Sequence, residues 1–254
     1  MIIPTMKKSL LTTILVTATI CFVSSCAQPY KVTQKPKNFL PEEEMPDASK
    51  FLPSPPGFHD IAFLADSIVY VKGKQLRDTE RGKLAVEDAS TTVEYIMKRF
   101  SPAMEVRLTP EEYPVLALFI GKNIRAARSS IRIAKDYFHR ERPYQYFEEP
   151  TPIPEDEAKN DFTSYPSGHT IRYWMAALVL ASIDPEHQEA IFKTGYECGQ
   201  SRTIVGYHYQ SDVDAARLAA SASFARLSAD PAWCKALKKA RKEFQRGRDR
   251  ERNR

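Results

Sequence analysis

Glycine is scarce in this chain, with nine in 254 residues, and Asn-Gly and Asp-Gly, the dipeptides that most often close β-hairpins, do not occur. Strand-like alternation is equally thin, so a sheet built from hairpins is excluded and helices are expected. Long apolar runs are missing after residue 23: no later segment approaches the ~20 charge-poor residues that a membrane crossing needs. No repeat recurs at the periods that mark solenoids. His, Asp and Glu do not gather at metal-ligand spacing, so no metal or other cofactor is expected.

Net charge excludes a further class. The formal value of +5 is set by residues 238–254, which hold nine Lys/Arg against three Asp/Glu; the rest of the chain is slightly acidic. A basic stripe following a phosphate backbone is therefore not expected over the folded body, and nucleic acid is not a predicted partner. With 43% hydrophobic and 11% aromatic residues the chain can bury one substantial core.

The N-terminus has the pattern of an export signal: Lys7 and Lys8, an apolar stretch over 10–23, then Ser24-Ser25-Cys26. Val23-Ser24-Ser25-Cys26 also resembles a bacterial lipobox, whose cysteine receives lipid and becomes the new N-terminus. Residues 1–26 are thus expected to be a lipoprotein signal, with lipid on Cys26 as the sole membrane attachment and the periplasm or outer cell envelope as the location. Ordinary cleavage after Ala27 is the alternative. Either route removes Cys21, and lipidation consumes Cys26. Cys198 and Cys234 then remain, and a disulfide and two unpaired thiols are equally open.

Seven prolines fall between residues 27 and 58, so this segment reads as an extended, poorly packed tether. A single domain is expected over 59–244, followed by a basic tail over 245–254 that frays as a solvated helix end. Ile61, Leu64, Ala65, Ile68 and Val71 recur at three- and four-residue steps, the pattern of an amphipathic helix, as do Val93, Ile96 and Met97. Further helices are expected near 111–138, 171–183, 186–206 and 209–228, with Asp184-Pro185 as a separator and Asp230-Pro231 opening the last. The predicted fold class is all-α, a single compact helical domain.

Three short blocks carry chemistry. Lys135 and Arg142 stand seven apart, so on a continuous helix both cations project from nearly one face before Pro143 ends it. By itself such a pair is more often a solvated face. Tyr165-Pro166-Ser167-Gly168-His169-Thr170 places a hydroxyl, a glycine and an imidazole at a helix start, where free N–H groups and the dipole favour phosphate oxygens. The bland reading is a helix cap with an incidental histidine. In the third block His208 and Asp212 are one helical turn apart, so the carboxylate can orient one ring nitrogen and leave the other free to attack, while Arg202 offers a planar fork to two oxygens. Together the blocks supply three cations, two imidazoles and one carboxylate, the parts for holding a phosphate and attacking phosphorus. His59, His139 and His187 lie outside this set, and His139 is read as an exposed helix residue.

The pattern Lys-x6-Arg-Pro, Pro-Ser-Gly-His, Ser-Arg-x5-His-x3-Asp resembles the three-part motif of the type 2 phosphatidic acid phosphatase superfamily, which also contains vanadium haloperoxidases. The flanking text, including Ala134-Lys135-Asp136-Tyr137 and Gln210-Ser211-Asp212-Val213, is similar to class A bacterial nonspecific acid phosphatases from about Leu52 to Phe244. The resemblance implies a metal-independent hydrolase of phosphate monoesters. His208 would form a phosphohistidine, Asp212 would orient it, and His169 would protonate the leaving alcohol and later activate water. Lys135, Arg142, Ser167, the Gly168 amide and Arg202 would hold the phosphate. The resemblance also implies inhibition by inorganic phosphate or vanadate and a homodimer. Thr163 and Tyr209 stand where the class A pattern usually has Gly and often has Trp, which bears on substrate preference. The competing readings are a vanadate-dependent haloperoxidase, an integral-membrane lipid phosphatase, and a surface phosphate-binding lipoprotein without turnover.

Overall fold

The computed structural model describes residues 38–158 and 160–253; the expected export signal and Cys26 lie outside them. Among the described residues the fold is all-α and no strand forms, the only β-type pairing being an isolated bridge between Arg140 and Thr163. No helix among them is long and apolar enough to cross a membrane.

The centre is α7 (Gly168–Ile183), whose sequence is apolar on nearly every side, as befits a helix wrapped by others. Around it pack α4 (Pro114–Ser130), α8 (Gln188–Ile204), α9 (Gln210–Ser228) and α10 (Pro231–Arg252). Glycines set how closely three of them approach. A Cβ on Gly195 of α8 would lie 2.7 Å from the Ala177 Cβ of α7, and one on Gly199 would lie 3.1 Å from Thr170 and 3.3 Å from Val213 of α9. Only a residue without a side chain fits at position 195, and at 199 a methyl would press on its neighbours. The consequence is functional, because the ends of α7, α8 and α9 carry His169, Arg202 and Asp212. Farther from the site, α4 is tied to α10 by the buried Trp233 indole N–H, which donates to Asn123 Oδ1 at 2.6 Å. Glu243 of α10 accepts from the free amides of Val115 (3.1 Å) and Leu116 (2.9 Å) at the start of α4.

Several expectations need correction. The helix expected near residue 61 exists as α1 (Phe63–Lys74), but its inward residues are Phe63, Asp66, Tyr70 and Gly73. The periodic apolar set instead faces out, with Ile61 87%, Leu64 60%, Ile68 54% and Val71 53% exposed. The inner face is chosen by stronger partners: a buried ion pair at Asp66, and Phe63 packed edge-on to Tyr146 and Tyr209. The expectation holds at α3 (Val93–Phe100), where Ile96 and Met97 are buried. Nor does the proline-rich segment remain extended up to residue 58. Leu40, Met45, Ala48 and Leu52 enter the main core, because the residues between the prolines are apolar enough to anchor two short 3-10 turns, Glu42–Glu44 and Ala48–Lys50. Met45→Ala should therefore cost about 2–4 kcal/mol in urea unfolding; a change within 0.5 kcal/mol would restore the tether reading.

The basic tail does not fray either. Helix α10 continues to Arg252, with Gly247 against the Tyr113 ring and Arg248 paired with Asp184 at 3.4 Å and Glu186 at 3.2 Å. Cys198 is buried and Cys234 exposed, both as free thiols.

Candidate active site

The Lys135–Arg142 block is not one helix. Helix α5 (Arg132–Phe138) stops at His139, which takes a left-handed backbone (φ 45°), and Arg142 caps the short α6 (Pro143–Tyr146), so Pro143 begins a helix and does not end one. The turn sends neighbouring cations to different places. Lys135 lies along the start of α7, its Cε 3.6 Å from where a Cβ on Gly168 would sit, and its Nζ donates to the Thr163 carbonyl. Arg142 donates through Nε to Asp161 (2.6 Å) and through Nη1 to the Tyr207 carbonyl (3.1 Å), and Nη1 also reaches His208 Nε2 at 3.2 Å. His139 is exposed and stacks on Phe162.

Ser167 is the N-cap of α7, accepting from the Thr170 amide at 3.2 Å, and its own amide donates to the Asp212 carbonyl at 3.0 Å. That second bond joins the start of α7 to the start of α9. His169, in the first turn, faces the Ala89 carbonyl through Nε2 at 3.0 Å. A carbonyl can only accept, so Nε2 carries the hydrogen and Nδ1 is left to exchange a proton.

Arg202 is the most unusual side chain of the group. It is 1% exposed, and its Nε and Nη1 have no hydrogen-bond partner among the described residues. Its guanidinium lies 4.9 Å from the Tyr207 ring centre. Burial, reinforced by Arg142, pushes its pKa down to about 10. Lys135 is pushed down to about 7, first by burial and then by Arg142. Cations that repel one another in a desolvated pocket favour a bound anion.

His208 and Asp212 meet as the spacing predicts, Nδ1 to Oδ2 at 3.3 Å, both buried. The tautomer follows from the neighbours. Nδ1 faces a carboxylate, which only accepts, and Nε2 faces a guanidinium, which only donates; the lone pair is therefore on Nε2, among the cations. Burial, then Arg142, Lys135 and Arg202, holds the His208 pKa well below the usual histidine value. His169 is lowered in the same direction by burial, Arg202 and His208.

Four side chains that support these groups went unread in the sequence. Asp161 accepts from Arg142, Ser164 donates to Asp212 Oδ2 at 2.6 Å, and Arg140 bridges Asp212 (2.6 Å) and Asp66 (2.9 Å). Only the density of polar residues over 160–164 and the Arg-x-Arg of 140–142 hinted at them. No group of three or more His, Cys, Asp or Glu side chains among the described residues could hold a metal ion.

The chain is similar to known proteins along most of its length. Residues 115–233 match the PAP2 superfamily. A non-specific acid phosphatase of Providencia stuartii is 42% identical over 216 residues, which is 84% of this chain and 87% of that protein. One of Salmonella typhimurium is 38% identical over 88% of this chain and 90% of its own, and an acid phosphatase of Zymomonas mobilis 32% identical over 80% and 77%. Similarity at this level, covering the segments that converge around His208, means that the chain belongs to the non-specific acid phosphatases of the PAP2 superfamily.

Proposed function

We propose that this acid phosphatase hydrolyses phosphate monoesters of broad range through a phosphohistidine on His208. The observation that carries the proposal is the oriented His208 ring, with its Nε2 lone pair facing Arg142 at 3.2 Å and the Lys135 and Arg202 charges acting on the ring. Phosphate oxygens held by those cations, by Ser167 and by the Gly168 amide bring phosphorus to Nε2. As the N–P bond forms, the bond from phosphorus to the leaving oxygen breaks, and the proton on His169 Nδ1 passes to that oxygen. Water then attacks phosphorus, His169 takes its proton, and the N–P bond breaks to release inorganic phosphate and neutral His208. Three fixed cations spread the charge that builds on the equatorial oxygens. Apart from His169, which protonates the leaving oxygen, every group named here addresses the phosphate and none the rest of the alcohol, which supports broad range, as does the name borne by the Providencia and Salmonella relatives.

The acid optimum has a physical cause. His208 must be neutral to attack, and its lowered proton affinity keeps it neutral below pH 6.5. His169 must be protonated; burial and then the cations hold its pKa down, and a phosphate dianion in the pocket offsets the share due to the cations. The expected result is a bell-shaped kcat/KM for p-nitrophenyl phosphate, with an acid limb well under pH 6.5 and no change on adding a chelator. Loss of activity to chelator, restored by a divalent ion, would sink the metal-independent account.

A further inference from the structure

Arg140 sits between Lys135 and Arg142 in sequence, yet it points away from the phosphate pocket, into the protein. It is 4% exposed. Nη1 donates to Asp212 Oδ1 at 2.6 Å and to the Ser211 hydroxyl at 2.7 Å; Nη2 donates to Asp66 Oδ2 at 2.9 Å. The guanidinium lies 4.1 Å from the Tyr209 ring centre. Its backbone acts on the same carboxylate, since the Arg140 carbonyl accepts from the Ser164 amide at 3.0 Å and the Ser164 hydroxyl donates to Asp212 Oδ2. Asp66 completes the clamp by accepting from the Ser211 amide (2.8 Å) and hydroxyl (2.6 Å) at the start of α9.

Oδ1 of Asp212 is therefore fixed by the Arg140 side chain and Oδ2 by the Ser164 hydroxyl and the Tyr209 amide (2.9 Å), and His208 receives only the longest bond of the group, at 3.3 Å. A carboxylate whose charge is taken by a buried guanidinium attracts a proton to the neighbouring imidazole far less than a free one does. We propose that Arg140, clamped by Asp66, is a positioning residue for hydrolysis: it fixes the Asp212 carboxylate that orients His208 and takes up its charge, so that His208 attacks as the free base in acid. The proposal rests on His208 being the nucleophile.

The charges acting on the pair come from every packed element. His208 faces Arg142 and Lys135 from the α5–α6 segment, Arg202 from α8, His169 from α7 and Asp212 from α9. Asp212 faces Arg140 and Lys135, with the Tyr165 and Tyr209 hydroxyls in its field; Arg140 faces Asp66 of α1 as well. Within this set the Arg140 and Asp66 side chains touch none of the phosphate-facing groups; they reach His208 through Asp212 and through Ser211 and Tyr209 at the start of α9.

Three variants test the idea through pH profiles of kcat and KM on p-nitrophenyl phosphate. Arg140→Gln frees the Asp212 charge: the acid limb of kcat/KM should move up by about one pH unit, with kcat down about tenfold or more and KM within about threefold. Asp66→Asn removes the competitor for the guanidinium, so its acid limb should move the other way. Arg140→Lys keeps the charge but loses the fork, and should hold the acid limb near wild type while kcat falls. Should Arg140→Gln not fold, the other two still decide. Acid limbs that superimpose on wild type for both Arg140→Gln and Asp66→Asn, or a wild-type kcat in Arg140→Lys, would overturn the proposal. Failure of the underlying reading looks different: His208→Ala would then retain turnover whatever the Arg140 variants do.

Discussion

His208→Ala should lose on the order of 10^4-fold or more in kcat while the protein still folds and still binds inorganic phosphate or vanadate. The loss is large because the nucleophile is removed and no other group replaces it. Among the described residues His169 is the other imidazole near the cations, and its Nε2 is committed to the Ala89 carbonyl. Binding should survive because Lys135, Arg142 and Arg202 are untouched. His208 is buried with hydrogen-bond partners at both ring nitrogens, so alanine also removes packing and those bonds. Steady-state kinetics with a parallel phosphate titration separates the two effects: lost turnover with retained binding is expected, and comparable turnover in the variant would place the nucleophile elsewhere.

Arg202→Met should pull activity and stability in opposite directions. Loss of a desolvated donor to the phosphoryl oxygens is expected to lower kcat/KM by ~10^2–10^3-fold. Yet this guanidinium is 1% exposed, its Nε and Nη1 have no partner among the described residues, and an uncompensated buried charge carries a penalty of several kcal/mol. Methionine fills similar space without that charge, so the ligand-free variant should gain about 1–4 kcal/mol and melt several degrees higher. Vanadate should raise the melting temperature of wild type and have little effect on the variant. A variant that melts well below wild type in the absence of ligand would show that Arg202 is satisfied in the empty pocket.

The same logic sets the pH dependence of the ligand-free fold. His169 and His208 have folded pKa values below the ~6.5 of an unfolded chain. The unfolded chain therefore binds more protons in acid. Stability from these groups is fully present above about pH 6.5 and declines as pH falls toward their folded values. Phosphate in the pocket, by raising both, should flatten that decline.

The motif residues are legible in the sequence because the three blocks jointly supply chemistry that few other roles demand, and the structure brings His169, Arg202 and Asp212 to helix ends with Lys135 and Arg142 beside them. Their supports are not. Asp66 and Arg140 are 74 residues apart and neither sits in a recognisable spacing, so nothing local signals that each is the other's partner. That hidden pair also explains the misread face of α1: periodicity favoured the stripe containing Ile68, but an aspartate that can be buried only against Arg140 turned the helix the other way. Likewise the seven-residue spacing of Lys135 and Arg142 predicts a continuous helix, whereas the left-handed turn at His139 delivers Arg140 to Asp212 and Arg142 to His208. Proline content, finally, suggested a tether where Leu40, Met45 and Leu52 pack into the core. Composition reports backbone stiffness, and cannot say where the apolar residues between prolines find a surface.

The most direct test of the central claim is to quench the enzyme with alkali during turnover of a phosphorus-labelled monoester, with chelator present, and map the label. The account predicts a label on the peptide containing His208, stable in alkali and lost in mild acid as a phosphoramidate must be, and absent from His208→Ala. Label on any other residue, or full turnover with no labelled protein at any quench time, would contradict it.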